Sequence, residues 1–244
     1  MAVSRIRVLE LRHAEVETSG AYSTALDELA DVTTVRVWRE CVPDKTAGYD
    51  AIIVMGGPMG VGDIDSIPWI ASEIALLRHA VADDVPVWAV CLGSQLLAAA
   101  LGAEVFRGEE PEIGVREVRL NTDGMADQVW KAVPSASFET VQWHFDTFAL
   151  PDGATLLAGS AAYPNQLFRY GDSYGIQFHL EAGGTLIRRW LQGESRDEVE
   201  AAIGTAGVDH FGDDAAAAEA VTAPLSATVM RRWLTQVATH RPAG

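Results

Sequence analysis

The chain has 244 residues, of which 48% are hydrophobic and 21% are charged, a balance typical of a folded globular protein and unlike that of disordered or fibrous chains. Its 34 acidic and 18 basic residues give a formal net charge of −16. A protein that binds nucleic acid needs a basic surface for the phosphates, so this charge argues against nucleic acid as a direct partner.

The two cysteines, Cys41 and Cys91, are too few for a disulfide framework or a four-thiolate zinc site. They favour a reducing, cytoplasmic location, and we expect no structural metal. The first residues lack the apolar core of a signal peptide. The uncharged stretch 85–103 approaches the length of a membrane span, but Pro86 and Gly93 divide it into a strand, a turn and a helix. We therefore expect no membrane segment.

Apolar runs of strand length alternate with helix-length segments in the first hundred residues. The strand-length runs have the composition of strands buried on both faces and cover residues 6–11, 33–38, 51–55 and 85–90. Residues 20–30 and 69–81 lie between them, and apolar side chains recur in the second segment every three or four residues. This alternation predicts an α/β fold with a mainly parallel central sheet flanked by helices.

After residue 104 the pattern changes to short strand-like pieces bounded by glycine, proline, asparagine and aspartate. These pieces cover residues 114–120, 137–142, 154–158, 165–170 and 174–178. They predict a small antiparallel strand region beside the parallel sheet. A helix is expected next, from Gly183 or Gly184 to about Leu191.

The last fifty residues predict a helical extension. Residues 195–206 and 224–239 have helical patterns, whereas residues 207–219 are rich in alanine, glycine and aspartate. Ser195 and Glu198 have the spacing of a capping box. Apolar residues of the last helix form a stripe that indicates packing on the main domain, with a partner-binding helix as the alternative: Leu225, Val229, Met230, Trp233, Leu234 and Val237. We therefore divide the chain into a main domain, residues 1–192, and an extension, residues 193–244.

A predicted buried strand ends in Cys91, and a predicted helix begins directly after it. This order resembles a nucleophile elbow, the sharp strand-to-helix turn that projects a nucleophile from the edge of a sheet. Gly93 supplies a small residue for the crowded turn. The positive end of the helix dipole favours the thiolate form of a cysteine at this position. A buried structural cysteine is the alternative interpretation.

A second predicted strand ends in the sequence Q-F-H-L-E, which contains His179 and Glu181. Residues two apart in a strand point to the same side, so both can face one pocket while Leu180 faces away. A cysteine nucleophile needs a base, and the base needs an acceptor that orients it. Cys91, His179 and Glu181 can therefore form a triad; the alternative is a histidine satisfied by a backbone carbonyl.

A third predicted strand leads into the glycine-rich segment 51–62. This segment lacks the lysine of a phosphate-binding loop and the full dinucleotide spacing, so nucleotide binding is a weak inference. Adjacent glycines let backbone N–H groups turn toward a pocket. Together with the amide of Leu92, such donors are what a tetrahedral oxyanion beside Cys91 requires, and a plain turn is the alternative.

These segments, in this order, resemble the class I glutamine amidotransferases, the Cys-His-Glu family that takes ammonia from glutamine. The likeness is greatest to stand-alone proteins similar to the glutaminase domain of GMP synthase, and it extends from about Ile6 to Leu191. It is carried by the motifs G-G-P-M-G, D-I-D-S-I-P-W, C-L-G-S-Q, E-I-G-V, W-H-F-D-T-F, P-N-Q-L-F-R-Y-G and Q-F-H-L-E. The resemblance implies the flavodoxin-like α/β fold of that family.

The resemblance also implies roles for individual residues. Cys91 would be the nucleophile, His179 the base and Glu181 the group that orients the base. The backbone amides of Gly57 and Leu92 would form the oxyanion hole.

Further residues would hold the backbone groups of glutamine: Gln95 and the segment His144 to Thr147, in which Asp146 is a candidate for the substrate's α-amino group. Two residues depart from the family pattern. Ala89 stands where the elbow usually has glycine, and Leu180 stands where proline is most common. Neither change removes an acid, a base or the nucleophile.

The implied reaction releases glutamate and ammonia from glutamine through a cysteine thioester and uses no metal or organic cofactor. The chain is too short to include an ATP-using synthetase beside the amidotransferase domain, so we expect that a separate synthetase takes the ammonia. Two alternatives stay open: a γ-glutamyl hydrolase or cysteine peptidase on the same scaffold, and a non-catalytic binding protein.

Overall fold

The structure, a computed structural model, describes residues 5–193 and 196–240. Strands and helices alternate in the first part of the chain, as the apolar runs predict. A single 3-10 turn, Gly20–Tyr22, precedes the first helix. The elements are β1 (Ile6–Arg12), α1 (Ser23–Leu29), β2 (Ala30–Arg36), β3 (Ala51–Val54), α2 (Pro68–Ala82), β4 (Val87–Val90) and α3 (Leu92–Ala100).

Strands dominate the second part of the chain before it ends in helices. The first two of these strands are much longer than the sequence pattern predicts. The elements are β5 (Val105–Leu120), α4 (Thr122–Ala126), β6 (Ser137–Phe148), β7 (Thr155–Ser160), β8 (Leu167–Tyr170), β9 (Ser173–Ile176), α5 (Gly184–Trp190) and α6 (Arg196–His240).

All nine strands form one sheet in the order β2-β1-β3-β4-β9-β8-β7-β5-β6. The five strands from β2 to β9 pair in parallel, and the pairs from β9 to β6 are antiparallel. The prediction of a mainly parallel sheet with a small antiparallel region is therefore wrong, because the sheet is mixed. Strand β9 pairs in parallel with β4 on one side and antiparallel with β8 on the other, so the antiparallel strands continue the same hydrogen-bonded ladder.

Successive residues of the central strands point to opposite faces of the sheet and enter two separate apolar clusters. On one face, Ile52 and Ala89 pack with residues of α2 and α3. On the other face, Ile53 and Trp88 pack with residues of α1 and α6. The strands are thus buried on both sides, as expected for the parallel part of an α/β sheet.

Helix α6 covers one face of the sheet and buries the predicted apolar stripe. Trp233 is fully buried, with its ring centroid 5.4 Å from that of Trp88, and its Nε1 donates a hydrogen bond to the carbonyl oxygen of Asp172 at 3.0 Å. Residues 207–219 are helical as well, in keeping with the high helix propensity of alanine. The helix is interrupted at Gly204 (φ 72°, ψ 164°). Ser195 of the predicted capping box lies outside the described residues.

Residues 85–103 form β4, a tight turn and α3, which confirms the interpretation of this uncharged stretch. Within residues 5–193 and 196–240, no helix is both long enough and apolar enough to cross a membrane.

Replacing Trp233 by alanine tests whether α6 is an integral part of the core. Because the side chain is fully buried against Trp88, we expect Trp233→Ala to lower the free energy of unfolding by about 3–5 kcal/mol. Val221 lies on the same helix with an exposed fraction of 57%, so Val221→Ala is the matched control and should change that energy by less than about 0.5 kcal/mol. Urea unfolding measures both. If both variants change the free energy of unfolding by the same small amount, α6 does not unfold cooperatively with the rest of the domain.

Candidate active site

Cys91 occupies a sharp turn between β4 and α3. Its backbone has φ 50° and ψ −111°, and positive φ is costly for a residue with a Cβ, by about 1–3 kcal/mol. Three hydrogen bonds fix this conformation: the Cys91 N–H donates to the Ile176 carbonyl at 2.7 Å, and the Cys91 carbonyl accepts from the Ser94 hydroxyl at 2.7 Å and the Gln95 N–H at 3.2 Å. The strained turn has the conformation expected of a nucleophile elbow.

Two small residues let the helix after Cys91 lie directly against the sheet. A Cβ on Gly93 would lie 2.4 Å from the backbone oxygen of Val54, so any side chain there would push α3 away from β3. Ala89, which replaces the usual glycine of the elbow, is fully buried among the residues of α2 and α3. Its methyl group is thus accommodated on the face of β4 that packs against these helices.

His179 lies just beyond the end of β9 and faces the same sheet edge as Cys91. Because β4 and β9 are parallel neighbours, their carboxyl ends meet at that edge. The His179 backbone is held by two hydrogen bonds, from its N–H to the Val141 carbonyl at 2.8 Å and from the Thr140 hydroxyl to its carbonyl at 2.9 Å. Leu180, between His179 and Glu181, is fully buried in the apolar cluster that includes Trp88 and residues of α6.

The Glu181 carboxylate orients the imidazole of His179. Their Nδ1 and Oε1 atoms are 2.8 Å apart, and both side chains are almost completely buried. Burial lowers the pKa of His179, but the charge of Glu181 and the interaction with Cys91 raise it more, so that the net pKa lies well above the usual value. The Cys91 sulfur is 3.8 Å from the carbonyl oxygen of Trp143. The three residues of the predicted triad therefore meet in one place.

A buried pair of side chains supports the glycine loop after β3. His13 directly follows β1, and its Nδ1 lies 2.9 Å from the Gly56 carbonyl oxygen while its Nε2 lies 3.0 Å from a carboxylate oxygen of Glu73. Burial lowers the pKa of His13, but the Glu73 carboxylate and the Gly56 carbonyl raise it more, and the net shift is upward. The cationic form donates both N–H groups, which fixes the orientation of the peptide between Gly56 and Gly57.

The glycine loop lies against the start of α3. A Cβ on Gly57 would lie 2.7 Å from the Cβ of His13 and 3.0 Å from the side chain of Leu92, so the loop contacts the start of α3 directly. Gly57, Cys91 and Leu92 line one cavity together. The pair of His13 and Glu73 is not among the residues predicted from the sequence. Its signal in the sequence is an acidic residue on the buried face of α2, between Ile70 and Leu77.

A small cavity of about 110 Å³ lies beside Cys91. All three predicted substrate contacts line it. The Gln95 amide donates to the Asp146 carbonyl and to the Gln177 side chain, each at 3.2 Å. Both ring nitrogens of His144 already face protein acceptors, the Asp146 carbonyl at 3.0 Å and the Glu112 carboxylate at 3.1 Å. His144 therefore holds the segment around Asp146 in place.

The Asp146 carboxylate is half-buried at this cavity. Burial raises its pKa above the usual value, the charge of Arg107 opposes that shift, and the charge of Asp63 adds to it. One carboxylate oxygen would lie 2.9 Å from a Cβ on Gly60, so the carboxyl group contacts the glycine loop closely. The group is thus placed between the loop and the cavity.

A larger cavity of about 520 Å³ adjoins Cys91 and His179 and is lined in part by Trp143, Trp190 and Glu17. The Oε2 atom of Glu17 is buried without a hydrogen-bond partner. Burial raises the pKa of Glu17 to about 7, while the charges of His179 and His13 oppose the shift and that of Glu181 adds to it. Glu17 is not predicted from the sequence either, because it lies in an irregular segment without periodicity.

Within the described part of the chain, no group of three or more histidine, cysteine, aspartate and glutamate side chains is arranged to hold a metal ion.

Comparison with known proteins gives a consistent result. Residues 18–192 match the family model described as glutamine amidotransferase class-I. A glutamine amidotransferase-like protein of Salmonella typhimurium is 32% identical over 202 residues, which cover 80% of this chain and 84% of the relative. One subunit of the glutamine-hydrolysing GMP synthase of Thermococcus kodakarensis is 31% identical over 137 residues, which cover 55% of this chain and 67% of the relative. The crystal structure of a glutamine amidotransferase from Thermotoga maritima superposes with a TM-score of 0.84 at 30% identity and covers 95% of this chain and 99% of its own.

Replacing Gly93 by alanine tests the close contact between α3 and β3. Because the added Cβ would lie 2.4 Å from the Val54 oxygen, we expect Gly93→Ala to lower the free energy of unfolding by about 1–3 kcal/mol, although alanine favours helix. A Cβ on Gly62 would contact nothing within 4 Å, so Gly62→Ala is the control and should change the free energy of unfolding little. Thermal and urea unfolding measure the stability of both variants. Equal losses of stability in Gly93→Ala and Gly62→Ala would contradict the close contact between α3 and β3.

Replacing Glu17 by glutamine tests its environment through the pH dependence of stability. Since the folded state raises the pKa of Glu17 to about 7, folding favours the neutral acid; the stability from this group is complete below pH 4.5 and is lost as the pH rises toward 7. Glutamine stays neutral, so the free energy of unfolding of Glu17→Gln should increase relative to wild type between pH 4.5 and 7.5.

Urea unfolding at pH 4.5, 6 and 7.5 checks the expectation for Glu17. The nearby exposed Glu15 provides the control for the loss of one negative charge, as Glu15→Gln. We compare the free energies of unfolding of Glu17→Gln and wild type. If their difference is the same at all three pH values, Glu17 has the same pKa in the folded and unfolded states, and the expectation is wrong.

Proposed function

The chain belongs to the class I glutamine amidotransferase family, and we propose that it hydrolyses the side-chain amide of glutamine to glutamate and ammonia through a thioester on Cys91. One observation carries the proposal: the strained turn at Cys91 and the buried pair of His179 and Glu181 meet at one sheet edge, beside a cavity. Nucleophile, base and orienting carboxylate are the three parts that acyl transfer by cysteine needs.

In the first half of the reaction, the Cys91 thiolate attacks the amide carbon of glutamine. A C–S bond forms, and the carbonyl electron pair moves to the oxygen. The N–H groups of Gly57 and Leu92 stabilise this oxyanion. Nε2–H of the His179 imidazolium then protonates the amide nitrogen, the C–N bond breaks, and ammonia leaves while the γ-glutamyl thioester remains on the enzyme.

In the second half, water attacks the thioester carbon and gives up a proton to Nε2 of His179. The C–S bond breaks, and glutamate leaves with the regenerated thiolate and imidazolium in place. Throughout both halves, Glu181 accepts the Nδ1–H hydrogen bond. It keeps Nε2 directed at the reacting atoms and stabilises the positive charge of the ring.

We also propose that the ammonia passes to a synthetase on a separate chain. Relatives that are named as one subunit of a glutamine-hydrolysing GMP synthase support an arrangement of separate subunits. Residues 1–192 would form the amidotransferase domain, in agreement with the family match over residues 18–192, and residues 193–244 would form the extension. Cys41 and Cys91 are both free, which supports a reducing, cytoplasmic setting.

Removing the thiol of Cys91 tests the proposed nucleophile. Glutamate released from glutamine should fall by at least about 10⁴-fold in Cys91→Ala, because no other group in the site can form the thioester. Cys41 is an exposed free cysteine, so Cys41→Ala is the matched control and should keep wild-type turnover.

A glutamine-like alkylating analogue supplies an independent readout for the same nucleophile. Mass spectrometry should find the label on Cys91 and none on Cys41. Wild-type protein that neither turns over glutamine nor takes up the label would contradict the proposed function.

A further inference from the structure

Charged side chains from three separate elements line the small cavity beside Cys91. Arg107 comes from β5, Asp146 from β6 and Glu198 from the first turn of α6. Among the described residues that line the cavity, Arg107 is the one arginine or lysine. An amino-acid substrate carries an α-carboxylate and an α-ammonium group, so a site that binds it benefits from one cation and one anion.

Arg107 is held in place on a ring face. Its guanidinium carbon lies 4.5 Å from the centroid of Phe145, a geometry in which the ring attracts the cation. Its Nη2 atom is 2.8 Å from Oε1 of Glu198, while Nη1 is 3.9 Å from Oδ1 of Asp146. The planar guanidinium matches a carboxylate, and in this structure the carboxylate that it binds comes from the C-terminal extension.

We propose that Arg107 binds the α-carboxylate of the amino-acid substrate, and that Glu198 occupies this place in the free protein. The inference rests on the proposed function, since it assigns the ligand groups of the same site. Glu198 is a carboxylate on a flexible side chain and resembles the end of the substrate that it replaces. Asp146, at the same cavity, is left to receive the α-ammonium group.

The contact between Arg107 and Glu198 is suited to competition. Their side chains have exposed fractions of 62% and 52%, and exposed ion pairs contribute little to stability. A substrate carboxylate can therefore displace Glu198 without a large loss. The weak pair still keeps the guanidinium partnered when no substrate is bound.

The chain segment that carries Glu198 is anchored beside the cavity. The neighbouring Val199 is fully buried in an apolar cluster with Ile113 of β5 and Trp190 of α5. At Gly204 the helix is interrupted, so the segment before it has a direction of its own, separate from the part of α6 that covers the sheet. Anchored by Val199, this short segment directs Glu198 to the cavity, and Glu198 lines both cavities next to Cys91.

Binding of the α-carboxylate by Arg107 would make the site specific for compounds in which this carboxylate is free. Glutamine and γ-glutamyl compounds with a free α-carboxylate fit the site, whereas a glutamine whose α-carboxylate is converted to an amide loses the contact with Arg107. A glutamine residue inside a peptide has no free α-carboxylate either. The site thus favours free amino acids over peptides.

Equilibrium binding tests the inference without depending on turnover. In the Cys91→Ala background, calorimetry measures the dissociation constants of L-glutamine and of L-glutamine α-amide. Adding Arg107→Gln should weaken glutamine binding about two- to tenfold, since the guanidinium is largely exposed, and leave the binding of the α-amide unchanged. Arg107→Lys should recover part of the loss.

Adding Glu198→Gln instead should tighten glutamine binding about two- to fivefold, since the competing contact is exposed and weak, and leave the α-amide unchanged. The matched control is Glu28→Gln. Glu28 of α1 forms a similarly exposed ion pair, 2.6 Å long, with Arg231 in the part of α6 that covers the sheet. Loss of the Glu28 charge should therefore alter neither dissociation constant.

The outcomes separate this inference from the proposed function. If Arg107→Gln weakens both ligands equally, or neither, Arg107 does not bind the α-carboxylate and the inference is wrong. If Glu198→Gln behaves like Glu28→Gln, the competition by the extension is wrong. If glutamine binds through Arg107 while wild-type protein releases no glutamate, the inference holds and the proposed reaction fails.

Discussion

Three residue pairs join β4 to β9 in parallel at the centre of the sheet, and the geometry of the candidate site depends on this short ladder. Parallel neighbours end at the same edge, so Cys91 and His179 come together although they are far apart in the chain. The ladder continues past the last strand pair, because the Cys91 N–H donates to the Ile176 carbonyl at 2.7 Å. That hydrogen bond holds the strained backbone of Cys91, and on its other side β9 begins the antiparallel half of the sheet.

Around this edge the protein buries three imidazoles beside carboxylates, among them His144 beside Glu112. His179 pairs with Glu181, and His13 pairs with Glu73 under the glycine loop. Burying a charge is costly unless it is paired and hydrogen-bonded, and in His179 and His13 the carboxylate partner and other nearby groups together raise the pKa more than burial lowers it. Glu17 lacks such a partner for its buried oxygen, and its pKa is raised as a result. The first pair fixes the orientation of the His179 ring, while the second supports the glycine loop that lines the cavity beside Cys91.

Local patterns predicted much of this arrangement. The order of strands and helices, the elbow at Cys91 and the shared face of His179 and Glu181 all follow from periodicities of two and 3.6 residues. The mixed sheet could not be predicted in this way, because strand partners are chosen by contacts between distant segments and β5 contains a register shift that interrupts its pattern. The same holds for side-chain pairs: His13 and Gly56 are 43 residues apart, and Arg107 and Glu198 are 91 apart. No short stretch of sequence contains both residues of either pair, so local patterns cannot predict these contacts.

Helix α6 follows strands β1 to β9 in the chain, yet it supplies a tryptophan to the centre of the fold. The ring of Trp233 packs against Trp88 of β4, whose other neighbours include Trp130. During synthesis on the ribosome, the strand that leads to Cys91 is therefore complete long before its apolar cover emerges. Contacts of such high sequence separation slow folding, and until they form, the exposed aromatic face is a surface for aggregation. The apolar face of β4 is thus covered late in the folding of this chain.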